Sequence, residues 1–118
     1  MIKLSYDAQN TVVSCTSEKA KLEYLMPKAI DETLTQIFTE IGTNVIYEYL
    51  GNNFDLKCEE IYEKPKVFSD GLEKLLGSAA PVIEKKILMN LYFHLKLKFT
   101  EKKNYEFQDY VEELKEGR

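Results

Sequence analysis

The chain has 118 residues with a formal net charge of −4, is 44% hydrophobic and 31% charged, and carries eight Tyr, six Phe and no Trp. That is the composition of one globular domain with a charged surface, and it excludes a disordered tail. Its longest uncharged apolar run, Ile87 to Phe93, is far short of the roughly 20 residues a membrane span needs, and the only Arg is Arg118. An acidic chain whose other cations are all Lys lacks the planar forks that read guanine or clamp phosphate.

Residues 1–16 alternate, with Ile2, Leu4 and Tyr6, then the turn-forming Asp7-Ala8-Gln9-Asn10, then the β-branched stretch Thr11 to Cys15 as a returning strand. A short β-hairpin is expected there, with a flexible arm as the competing reading. From residue 17 to 118 the pattern is helical and reads as a single domain. Ser17 can cap a short helix to Met26, and Pro27 suits the first turn of a new one. Ile30, Leu34, Ile37, Phe38, Ile41, Val45 and Tyr49 then form one stripe on a helix from Pro27 to Leu50, stopped at Gly51. Gly42 lies on that stripe, which predicts a close helix crossing, with a kink as the alternative.

Cys58 to Glu63 can add a short helical turn. Pro65 opens a helix with Phe68, Leu72, Leu75 and Leu76 on one side, ended by Gly77, and the adjoining Gly71 predicts tight packing there. Ser78 can cap a helix bearing Val82, Ile83, Ile87, Leu88, Leu91, Tyr92 and Leu95, a stripe broad enough for a central helix. Phe99 to Lys103 reads as a charged loop. Asn104 can cap a last helix with Phe107, Tyr110, Val111 and Leu114 inward and Glu112, Glu113 and Glu116 in water. The predicted fold is all-α: a compact bundle of four to five helices with the N-terminal hairpin as an appendage.

Residues that carry chemistry are sparse. His94 is the only histidine, and Leu91 stands where a Glu-x-x-His metal motif needs its carboxylate. A metal, or a buried acid held beside His94, would reverse a non-catalytic reading. Cys15 and Cys58 have neither metal nor redox-motif spacing, so both read as packed thiols of a reduced, cytoplasmic protein. The pairs Glu59-Glu60 and Glu112-Glu113, and Glu32 with Glu40, read as solvated. No catalytic residue, cofactor or metal is expected. The amides of 77–81 form a generic helix N-terminus. Lys96, Lys98, Lys102 and Lys103, with Tyr92, Phe99 and Tyr105, form a basic-aromatic patch. Nucleic-acid contact there is the weaker reading beside a Lys-decorated helix end.

Several runs resemble a known family: Phe68, Leu72 and Leu75-Leu76-Gly77-Ser78-Ala79-Ala80, then Val82-Ile83-Glu84 and Ile87, then Asn90-Leu91-Tyr92, then Tyr105, Phe107 and Tyr110-Val111. With Gly42-Thr43 and Val45-Ile46-Tyr47 upstream, they resemble a small archaeal helical domain described as the Nitrosopumilus-type output domain. Such domains stand alone or follow receiver domains of signalling proteins. The resemblance spans about 27–115 and rests on packing residues. It implies a cytoplasmic, non-catalytic regulatory or interaction module and assigns no role to any residue.

Two functions are expected on these grounds. The first is a homodimeric interaction domain, whose interface would draw on Tyr47, Tyr49, Tyr92 and Phe93. The alternative is a small-molecule sensor with an apolar, tyrosine-bearing pocket lined by Phe38, Tyr49, Leu88 and Tyr92.

Overall fold

The computed structural model describes residues 18–117, and the expected N-terminal hairpin and Cys15 lie outside them. Among the described residues the fold is all-α. The order is α1 (Glu18–Phe54), a 3-10 turn (Cys58–Glu60), α2 (Pro65–Leu76), a second 3-10 turn (Gly77–Ala79), α3 (Ala80–His94) and α4 (Phe107–Lys115). With α2 at twelve residues and α4 at nine, the body is smaller than a bundle of four or five full-length helices.

The helical run of α1 does not break at Pro27. It continues through that residue, because Leu22, Met26, Ala29, Ile30 and Leu34 all enter one core. An interior proline costs about 3 kcal/mol. The four large ones, Leu22, Met26, Ile30 and Leu34, at about 1.5–3 kcal/mol each outweigh it.

The break comes instead at Thr39, where φ is 65° and ψ 176°, a conformation essentially reserved for glycine. The Tyr47 hydroxyl donates to Asp31 Oδ1 at 3.2 Å, although the two residues are sixteen apart. A straight helix would separate them by about 24 Å at 1.5 Å per residue. Residues 40–54 therefore turn back along residues 18–38, and α1 is a helical hairpin. The turn also explains Gly42. A Cβ there would lie 2.8 Å from the Phe38 Cβ, one residue before the break. The kink, not a crossing by another helix, is what needs this glycine.

The turn re-registers the second half. Its buried positions are Thr43, Ile46 and Leu50, while Ile41 and Val45, expected in the core, are exposed. The single stripe from Ile30 to Tyr49 thus divides: Ile30 and Leu34 are core, and Ile37, Ile41 and Val45 face outward.

The later helices follow the sequence more closely. Pro65 opens α2 and Gly77, at φ 61°, ends it. Gly71 is buried against α1, where a Cβ would overlap the Leu50 Cδ2 and press on the Phe54 ring. On α3, Ala80, Ile83, Ile87, Leu88, Leu91 and Tyr92 are buried. Val82, expected on that stripe, is exposed together with Met89 and Phe93, so α3 covers the core on one side and leaves an apolar face outside. The cap of α4 is Glu106 rather than Asn104, and its N–H donates to Asp109 Oδ2 at 2.8 Å.

Candidate functional site

Two places in the fold gather polar groups beside open space. The first is the seam where the first half of α1 meets α3. Asn90, on α3, points its amide at α1 and donates to Ala29 O at 3.3 Å, Glu32 Oε1 at 3.2 Å and Thr33 Oγ1 at 3.3 Å. One turn on, His94 Nε2 lies 2.9 Å from the same Glu32 oxygen. Hydrogen bonds from His94 and Asn90 hold the Glu32 carboxyl below its ordinary value, and Lys28 adds at 3.8 Å.

The lone imidazole therefore does have an acid beside it, 62 residues away in the chain. That acid is not buried: the Glu32 side chain is 45% exposed and ionised. An ionised carboxylate only accepts, so it fixes the proton on Nε2. The hydroxyl at this seam, Thr33 Oγ1, is buried and already accepts from Asn90. The arrangement is an interhelical clamp: among the described residues the imidazole is hydrogen-bonded to Glu32 and to no hydroxyl or thiol.

The second place is a cleft of about 470 Å³ between α2, α3, α4 and the loop before α4. Leu88, Phe99, Phe107 and Tyr110 supply its apolar wall. Phe99 lies on Tyr110 with ring centroids 5.4 Å apart, and Tyr105 meets Tyr110 edge-on at 4.9 Å. The loop is pinned by Tyr110, whose hydroxyl accepts from Lys102 N–H at 2.7 Å and donates to Lys102 O at 3.3 Å. In the same cleft, Ser69 Oγ donates to Glu84 Oε2 at 2.7 Å. Burial pushes the Glu84 carboxyl up, and the nearby Glu73, Glu106 and Asp70 push the same way against the Ser69 bond.

The expected site residues are dispersed. Leu88 lines this cleft, but Phe38, Tyr49 and Tyr92 do not. Tyr49 packs on Phe54 at 6.1 Å, and Tyr92, 7% exposed, packs edge-on against Phe99 at 5.1 Å. Burial pushes the Tyr92 hydroxyl up to about 12. Tyr47 is half-buried and engaged with Asp31, so Phe93, at 75%, is the one member of the aromatic set Tyr47, Tyr49, Tyr92 and Phe93 that projects into solvent.

The basic patch is divided as well. Lys102 is bound by Glu113 at 2.6 Å, and Tyr92 and Phe99 turn inward, leaving Lys96, Lys98 and Lys103 exposed. Glu113, expected in water, is partly buried by the same contacts, including the Tyr105 hydroxyl at 2.8 Å. Cys58 is partly buried and donates to the Tyr47 Oη at 3.6 Å, and burial raises its thiol. It is a packed cysteine whose thiol gives up its proton less readily than a free one.

Among the described residues no cluster of three His, Cys, Asp or Glu side chains could hold a metal ion, and no helix is long and apolar enough to cross a membrane. Comparison with known protein families, with curated proteins and with solved structures finds no match to this chain.

Nothing in the sequence marked Ser69 with Glu84, or Glu32 with His94, because each pair joins two helices. The available signal was a carboxylate, Glu84, next to the buried Ile83 and one turn before the buried Leu88.

Proposed function

We propose that this chain is a non-catalytic helical interaction module that pairs with a second copy of itself, a regulatory, output-like role in keeping with the Nitrosopumilus-type resemblance. The observation that carries this reading is the set of large apolar side chains left outside. Val82, Met89 and Phe93 repeat at seven- and four-residue steps on one face of α3, with Ile37 of α1 across a shallow groove from Met89. Ile41, 78% exposed, and Val45 repeat at four residues beyond the Thr39 turn. Large apolar side chains exposed at helical spacing are what an association surface offers.

Charge favours a second copy as the occupant. The ridge of Ile41 and Val45 is flanked by Glu40 and Glu48, and the ridge of Met89 and Phe93 by Lys86 and Lys96. None of the four charges makes an ion pair among the described residues. Across a two-fold axis the acidic-edged ridge of each copy meets the basic-edged ridge of the other, so one contact is made twice.

Light scattering on the purified chain at micromolar concentration tests this. The expected mass is that of two chains, falling to one in Phe93→Asp with an unchanged helical circular dichroism spectrum. A single-chain mass for the unmodified protein overturns the proposal, and so does a dimer that survives both Phe93→Asp and Ile41→Asp.

A further inference from the structure

We propose that the cleft between α2, α3 and α4 is a binding site for a small organic cation, a protonated amine on an aromatic or aliphatic body, with Glu84 as its counter-ion. Its volume of about 470 Å³ lies within the usual range for small-molecule pockets, roughly 300–1,000 Å³.

The argument begins with the charges of its wall. Three lysines line the cleft and each already has a carboxylate: Lys66 with Asp70 at 3.5 Å, Lys85 with Glu101 at 3.0 Å, and Lys102 with Glu113 at 2.6 Å. Glu73, Glu84 and Glu106 also line it, and none has a cation partner among the described residues. The cleft is thus short of positive charge while its own cations are occupied. Glu84 is the deepest of the three, half-buried on α3. The Ser69 hydroxyl donates to its Oε2 and fixes the carboxylate, while Oε1 has no partner among the described residues. A half-buried carboxylate held by one neutral donor is an incomplete ion pair.

The apolar part of the lining sets the rest of the ligand. Phe99 from the loop before α4 and Tyr110 from α4 contribute aromatic groups, and Leu88 stands one turn along α3 from Glu84. Ring faces attract cations, and Lys102 Nζ already sits 5.1 Å from the Tyr105 centroid at the rim. A bare divalent ion does not fit, because the carboxylates do not converge as a metal set. An ammonium joined to an apolar group satisfies the acidic and the apolar parts of the lining at once. Occupancy is coupled to pH, since binding requires Glu84 to be ionised.

Calorimetric titration with phenethylamine, against its neutral isostere 2-phenylethanol and against magnesium chloride, tests the proposal. Saturable binding is expected for the amine alone, strengthening as pH rises from 5 to 8, and weakened at least about tenfold in Glu84→Gln, which can still pair with Ser69. Ser69→Ala should weaken it less. Absence of saturation up to about 10 mM amine overturns the site, as does equal binding of 2-phenylethanol or an affinity unchanged by Glu84→Gln. Magnesium binding lost in Glu84→Gln overturns the assignment to an organic cation.

Discussion

The Tyr47 hydroxyl reaches Asp31 at 3.2 Å across the two halves of one helical run. That bond, with Cys58 donating to the same hydroxyl at 3.6 Å, ties the returning half of α1 and the turn after it to the first half. Tyr47→Phe should lower stability by about 0.5–1.5 kcal/mol, the usual net worth of one hydrogen bond. In urea, a Tyr47→Phe/Asp31→Ala double-mutant cycle should give a favourable coupling. Strict additivity would mean that the halves do not meet.

Thr39 holds a backbone conformation that costs a β-branched residue about 1–3 kcal/mol. Its carbonyl, which accepts from Thr43 Oγ1 at 2.8 Å, is kept by any replacement. Thr39→Gly should therefore stabilise the fold by about 1 kcal/mol, once the larger unfolded-state entropy of glycine is set against the released strain. A clear loss of stability in thermal unfolding would argue against the turn.

The two helical glycines should respond differently to alanine. At Gly42 the new Cβ meets a Cβ, which cannot move without its backbone, so Gly42→Ala should cost about 1–3 kcal/mol despite the better helix propensity of alanine. At Gly71 the obstacle is the far end of Leu50, which can rotate, so the loss should be smaller. Chemical denaturation of both variants checks the order.

Glu84 and Glu32 should push the pH dependence of stability in opposite directions. The folded state raises Glu84 above its ordinary value, so it holds the proton more tightly than the unfolded chain does. Its contribution is fully present below that value and is lost as pH rises through the folded pKa. Glu84→Gln should match the parent at pH 4 and exceed it at pH 8. Glu32 is lowered, so its contribution is present above the unfolded value and lost as pH falls through the folded one. Urea midpoints of the parent and the two Gln variants across pH 3–8 separate the effects; a Glu84→Gln curve parallel to the parent would contradict the burial.

Cys58 should react slowly. In a Cys15→Ser background, maleimide labelling at pH 8 should be strongly retarded in the native protein and fast in urea, because burial raises the thiol. Equal rates in the two conditions would show that the thiol is free.

Where one helix suffices, the sequence was a reliable guide. Pro65 and Gly77 bound α2 as their fixed or permissive φ requires, the apolar spacing of 107–114 gave α4, and Gly71 announced a tight contact. Periodicity reports which residues share a helix face, and it did so for Ile30 with Leu34. It carries nothing about where a helix folds back. Only the packed structure placed the turn at Thr39, sent Ile41 and Val45 outward, and set Ser69 beside Glu84 and Glu32 beside His94. Those contacts join residues far apart in the chain, and their energies arise only once a shared core fixes how the helices lie against each other.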